Sequence, residues 1–287
     1  MIKRQLKGQY LQVKDLKIYY YTFGQGRPLL FIHGHRADAL RWKGMIKFAA
    51  QFFKVYAPDL PGCGKTPLLN TWHSLDLYTD YLEGFVKKLN LKKFDILGPS
   101  LGGVLAIKLA QRIPQKINRL ILFAPPFHHR YFIYTKQPKI REIVSLIKIA
   151  ARSKILTFLW EKMLEQKKLI YFLTWHWQPP EYRKKNIVQF ETEQWYKMKG
   201  RVWLQTAYEL LSTDLSHEKP ITIPALIIFP KADHYLDVKN SLRGLKKILP
   251  KSKAVIVDLP RHVPPGELPP EYFKKFQPQL EKFFKNQ

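Results

Sequence analysis

Cysteine is nearly missing from this chain. Cys63 stands alone, which excludes an internal disulfide and any metal site built from several thiolates. Long uncharged apolar runs are missing too, so no stretch reads as a bilayer span. The basic start Met1-Ile2-Lys3-Arg4-Gln5-Leu6-Lys7 has no apolar core segment and no small-residue cleavage site. The expected location is therefore the cytoplasm. Acidic residues are scarce: 22 Asp and Glu face 49 Lys and Arg, a formal net charge of +27. Clustered, such an excess is the footprint of polyanion binders. Here it is spread, with 17 basic and 9 acidic residues between Pro126 and Pro220 and 32 and 13 in the remainder. Much of it is Lys in short pairs such as Lys87-Lys88 and Lys246-Lys247, and Lys lacks the bidentate fork that favours phosphate. The pattern predicts no specific nucleic-acid partner, only weak, salt-sensitive attraction to polyanions.

What is present is the material of an ordinary globular fold, 46% hydrophobic over 287 residues. Tyr10 to Val13 and Leu16 to Phe23 read as paired opening strands. Pro28 to Ile32, Phe53 to Ala57, Phe94 to Leu97 and Leu120 to Phe123 are apolar runs with little alternation. Strands of that kind are buried on both faces, which implies a parallel sheet covered by helices. Helical patterns lie between them at Trp42 to Phe52, at Leu75 to Leu89 with Ser74 as N-cap, and at Leu101 to Arg112.

After Pro126 the strand rhythm stops for about 95 residues, and helices are expected near Lys139 to Ala151, Lys154 to Gln166 and Thr192 to Leu211. The first carries an apolar stripe at Ile140, Ile143, Val144 and Ile147. Trp160, Trp175, Trp177, Trp195 and Trp203 fall in this segment, as its own core or as pocket walls. The α/β rhythm resumes at Ile223 to Pro230, with a helix near Val238 to Leu249 and a strand at Ala254 to Leu259. An amphipathic helix bearing Tyr272, Phe273, Phe276, Leu280 and Phe283 closes the chain.

The chemistry centres on Gly98-Pro99-Ser100-Leu101-Gly102-Gly103, between a strand and a helix. A serine at so sharp a corner is strained and needs neighbours nearly free of side chains. Acyl transfer by serine also needs a base, a carboxylate to orient it, and donors for the oxyanion. His262 follows the last strand and Asp233 the one before it; Asp237 is the nearest rival acid and is expected to cap the next helix. Two decoys are set aside. The run Asp59 to Thr66 ends in Gly-Lys-Thr like a phosphate-binding loop, but begins with an anion and continues into Pro67. His33-Gly34-His35 with Asp38 has the wrong spacing for a metal run.

His33-Gly34, Asp59 to Thr66, Gly98 to Gly102, Asp233 and His262 together resemble the α/β-hydrolase superfamily across essentially the whole chain. That resemblance implies an α/β fold with a mostly parallel central sheet flanked by helices and a helical cap inserted after the sixth strand. Residues 1–125 and 221–287 would form the core and 126–220 the cap. It implies Ser100 as nucleophile, His262 as base, Asp233 as acid and the backbone N–H groups of His35 and Leu101 as oxyanion donors, with His33 shaping the loop. Pro99 and Arg261 depart from the family, which commonly has a polar residue and a glycine there. The implied activity is carboxylic ester hydrolysis through an acyl-enzyme, without cofactor or metal, on a small molecule with an apolar acyl or alkyl part. Lactone, amide or carbon–carbon bond cleavage, or ligand binding with little turnover, are the alternatives.

Overall fold

The apolar runs expected as strands lie side by side in the computed structural model, which describes residues 6–133, 138–259, 261–263, 266, 268 and 274–285. β1 (Lys7–Val13) and β2 (Leu16–Phe23) form an antiparallel hairpin, and β2 runs antiparallel to β4 (Lys54–Pro58). From there β3 (Pro28–Phe31), β5 (Phe94–Pro99), β6 (Ile117–Phe123), β7 (Ala225–Pro230) and β8 (Ser252–Val257) are parallel. The sheet order is β1-β2-β4-β3-β5-β6-β7-β8. β5 and β7 are buried along their whole length, whereas β8 at the sheet's end has exposed residues, as burial on both faces requires only of interior strands.

The order carries a positional consequence. The chain leaves β3 toward β4, then crosses back to place β5 on the other side of β3. In open α/β sheets the crevice beyond the carboxyl ends of strands at such a reversal is where ligands bind. The loop after β3 and the turn after β5 flank it.

Helices flank the sheet. α1 is Lys43–Ala49, α2 Leu75–Lys88 and α3 Leu101–Arg112, and α2 starts at the expected Ser74 cap, whose hydroxyl accepts the Leu77 N–H. The helix expected over Trp42 to Phe52 is shorter, preceded by a 3-10 turn at Ala39–Trp42 and ended by turns at 50–52 that feed Phe53 into β4. α9 is Val238–Ile248, and the closing helix, α10, is Gln277–Lys285. Phe276, Leu280 and Phe284 are buried, with Phe284 packed edge-on to Phe53; Tyr272 and Phe273 lie outside the described residues.

Between β6 and β7 come α4 (Pro138–Arg152), α5 (Lys154–Glu165), α6 (Lys167–Trp177), α7 (Lys185–Trp195) and α8 (Gly200–Leu210). Two corrections arise here. The expected helix from Thr192 to Leu211 is two helices, because residues 197–199 leave helical pairing to bond a core turn: Gly64 N–H donates to the Lys197 carbonyl at 2.6 Å and Lys199 N–H to that of Gly62 at 3.1 Å. The α4 stripe is also only partly inward: Val144 is buried, but Ile143 is exposed. No helix of the described residues is long and apolar enough to cross a membrane.

Candidate active site

Ser100 sits between the last residue of β5 and the first of α3 with φ 51° and ψ −117°. That left-handed backbone is costly for a residue with a side chain, by about 1–3 kcal/mol, and persists only where its surroundings over-determine it. They do so here by close approach of backbone. A Cβ at Gly98 would run into the Gly102 carbonyl, and one at Gly102 into the Ile32 carbonyl. The Ser100 N–H donates to Phe123 of β6 at 2.8 Å, and its carbonyl accepts from Gly103 at 2.9 Å. Leu101 opens α3, so its N–H has no intrahelical acceptor. Gly34 stands against this turn: an added Cβ there would lie 3.6 Å from Ser100 Cβ. The loop after β3 is thereby brought beside the serine, and His35 follows directly.

His33 has the shaping role that the resemblance implies. Fully buried, its Nε2 accepts the Leu60 N–H at 3.0 Å, which leaves Nδ1–H to donate to the Gly34 carbonyl at 2.8 Å. The two decoys are accounted for as structure. Asp59 is buried and accepts N–H groups of Ala39 and Lys65 at 2.9 and 3.0 Å, and burial pushes its carboxyl up to about 7. Asp38 accepts the Arg41 N–H and pairs with Lys197 at 3.3 Å. Among the described residues no group of three or more His, Cys, Asp or Glu is arranged to hold a metal ion.

Asp233 and His262 are both buried at the same carboxyl edge, in the loops after β7 and β8. Backbone bonds stitch those loops, Lys231 N–H to Val257 at 2.8 Å and Ala232 N–H to Leu259 at 3.3 Å. Asp233 Oδ2 accepts His262 Nδ1–H at 2.6 Å, and Oδ1 accepts the N–H groups of Tyr235 and Leu236 at 2.9 and 3.0 Å. Burial alone would raise the Asp233 carboxyl; the imidazole and these donors outweigh it and hold it below the usual carboxylate range. With Nδ1 turned to Asp233, Nε2 is the ring nitrogen left for other work. Asp237 caps α9 by accepting the Asn240 N–H at 3.1 Å, as the sequence predicts. His234 is pushed down to about 4 by burial and by Arg261, and its Nδ1 accepts the His262 N–H at 3.3 Å. Arg261 itself lies over the Tyr182 ring, 5.8 Å from its centroid, so it ties this loop to the inserted helices.

One residue of the site surroundings was not legible in the sequence. Glu191 on α7 is buried and bonds Arg36 at 2.8 Å, Arg41 at 2.9 Å and the Gly266 N–H at 2.8 Å. It thereby ties α7, the loop after β3 and the loop that carries His262. Burial works against its charge, but the two guanidinium groups prevail and its carboxyl stays low. Next to this hub Trp160, Trp195 and Trp203 pack with centroids 4.9–5.9 Å apart, and His35 Nε2 donates to the Trp203 carbonyl at 3.1 Å, with burial holding the ring neutral at about 4. Of the five expected tryptophans these three are half-buried together, Trp175 packs near Tyr171, and Trp177 is 72% exposed.

Comparison with known proteins agrees with this architecture. An uncharacterized protein of Mycobacterium tuberculosis is 35% identical over 99 residues, 34% of this chain and only 29% of its own length. Pimeloyl-[acyl-carrier protein] methyl ester esterase of Aeromonas hydrophila is 26% identical over 249 residues, 84% of this chain and 91% of that enzyme. Among solved structures, an esterase from Exiguobacterium antarcticum superposes with a TM-score of 0.74 at 19% identity, covering 98% of this chain and 100% of that one. The family model described as alpha/beta hydrolase fold matches residues 27–266, and with that match the chain belongs to the α/β-hydrolase fold family.

Proposed function

We propose that this protein hydrolyses a carboxylic ester through an acyl-enzyme on Ser100. The observation that carries the reading is the 2.6 Å bond between His262 Nδ1 and Asp233 Oδ2 on the sheet edge that also presents a strained serine. Ser100 Oγ attacks the ester carbonyl while His262 Nε2 accepts its proton. The tetrahedral oxyanion is met by the N–H groups of Leu101 and His35, the first at the start of α3 and the second beside the turn through Gly34. Collapse expels the alcohol, which takes the proton from His262. Water then attacks the acyl group with His262 again as base. Asp233 keeps the imidazole in the Nδ1–H tautomer and stabilises it when charged.

Residues 126–220 are read as a cap over a core of residues 1–125 and 221–287, with the tryptophans around His35 on the acyl side. Similarity to the Aeromonas methyl ester esterase over most of both chains supports an ester substrate. The test is a panel of acyl esters graded by chain length, run with organophosphonate labelling on the wild type and on Ser100→Ala. Wild type is expected to be labelled once and to turn over many times, and Ser100→Ala to lose both. Wild-type turnover by Ser100→Ala would remove the nucleophile. Labelling without turnover of any ester in the panel would remove the ester reading.

A further inference from the structure

Three of the inserted helices, α4, α5 and α6, leave much of their apolar surface open. On α4, α5 and α6 large apolar side chains face out, among them Leu146 (64%), Ile155 (73%), Phe158, Leu159, Phe172 and Trp177. Val144 and Ala151 on α4, Leu164 on α5 and Ile170 on α6 are buried on the sides opposite Leu146, Ile155, Phe158, Leu159 and Phe172, while Trp177 ends α6 on the Ile170 side. α4 and α5 pack on each other and both rest on α8, and α6 joins them beside α5. A helix with one face buried in protein and a second apolar face left open has somewhere else to put it, because contiguous exposed apolar patches are rare on a free surface.

Charge identifies the occupant. From residue 138 to 177 there are eight Lys and Arg against three Glu. Glu161 accepts the Arg201 N–H at 3.1 Å, and Glu165 pairs with Lys162 at 3.0 Å, so the segment keeps a net positive charge. Arg152, Lys154, Lys167 and Lys168 are exposed among the apolar side chains, and Lys162, whose ammonium lies 5.9 Å from the Phe158 ring centroid, pairs with Glu165. Apolar stripes interleaved with lysine, on helices too short to span, are the composition of an interfacial surface. We propose that the outer face of α4, α5 and α6 docks on an anionic lipid bilayer, its Leu, Ile and Phe side chains entering the acyl boundary and its lysines meeting anionic headgroups. This surface is independent of Ser100 and of the ester reading.

The experiment is vesicle flotation of the full chain with two compositions, pure phosphatidylcholine and equimolar phosphatidylcholine with phosphatidylglycerol. The wild type should float with the anionic vesicles, far less with the neutral ones, and progressively less as salt is added. Leu146→Glu/Ile155→Glu/Phe158→Glu/Phe172→Glu, all at exposed positions, should lower its partition at least about tenfold. A charge-only variant, Lys154→Glu/Lys167→Glu/Lys168→Glu, should lose the preference for anionic vesicles. Unchanged melting temperatures certify both variants as folded, whatever their activity. The proposal is overturned by a wild type that stays in the aqueous fraction, or by an apolar variant that floats as well as the wild type. It is equally overturned by a wild type that sediments as a dimer while the apolar variant is monomeric, since a second copy would then cover the face.

Discussion

The sheet's carboxyl edge and the helices inserted after β6 are built in opposite ways. At the edge, the residues proposed for the chemistry are held by short bonds, to the backbone or to one another. Ser100 is fixed through its backbone to β6, and Asp233 accepts three hydrogen bonds. In α4, α5 and α6 much apolar surface stays open, and the inserted segment joins the core through the buried Met198, Val202 and Leu210 and through polar contacts. The polar contacts include Glu191 with Arg36, Arg41 and Gly266; Trp72 Nε1–H on Glu209 at 2.8 Å; and the 197–199 turn on Gly62 and Gly64. The chemistry proposed for the edge needs atoms held to fractions of an ångström, whereas the cap proposed above needs only to be tethered. The difference makes the edge sensitive to single atoms and the helices sensitive mainly at their tethers.

The sharpest way to test that contrast is at the edge. Asp233→Asn presents a donor to His262 where an acceptor is needed, and its kcat on an ester substrate should fall by about 10⁴. Asp237→Asn, at the N-cap of α9, should stay near wild type. Equal losses would move the acid. Next in size is the main tether. Glu191→Ala leaves Arg41 buried without its partner, and removing one member of a buried ion pair costs about 3–5 kcal/mol. A urea midpoint together with proteolysis of the inserted helices measures it, and faster cleavage there with the sheet intact is the expected pattern.

A third test separates the sheet interior from its edge by pH. Asp95 on β5 is buried, and burial raises its carboxyl to about 6 from the ordinary 3.8, against the pull of Arg27 and Arg119. Between those values the folded chain holds a proton that the unfolded chain has released, so this group makes stability fall as pH rises through the window. Asp95→Asn should flatten that fall, by at most about 3 kcal/mol across it, while Asp233, with its lowered carboxyl, contributes stability lost only as pH drops below the ordinary value. Melting temperatures of the wild type and Asp95→Asn between pH 4 and 7 read the difference. The smallest effect belongs to the open face: Trp177→Ala should change stability by less than about 0.5 kcal/mol. Trp203→Ala, inside the cluster beside His35, should cost several times that.

Much of this molecule was legible in the residues themselves. Unalternating apolar runs forced interior parallel strands, as at Leu226 to Phe229, because a strand covered on both sides has no polar face. The Gly-flanked Ser100 announced its turn, since only glycine admits the backbone contacts at 98 and 102. Asp237 and Ser74 read as caps because capping is decided within three residues. Position after a strand, with chain order and the family resemblance, marked Asp233 and His262 as candidates, and the structure joins them by a 2.6 Å bond.

Other features were settled by contacts between distant parts of the chain. The break at 197–199 exists because the turn at Gly62 and Gly64 offers that backbone a partner more than 130 residues away. Glu191 carries no local mark, since a glutamate on a helix is ordinarily a solvated one, and only burial between two arginines and the Gly266 N–H makes it a hub. Which apolar residues of α4 face out could likewise not be read from their spacing, because a stripe wider than the surface beneath it leaves its margin uncovered, as Ile143 and Leu146 are. Local sequence fixed what the backbone can do residue by residue through sterics and periodicity, while partners at long range were chosen only when the folded chain had excluded water from between them.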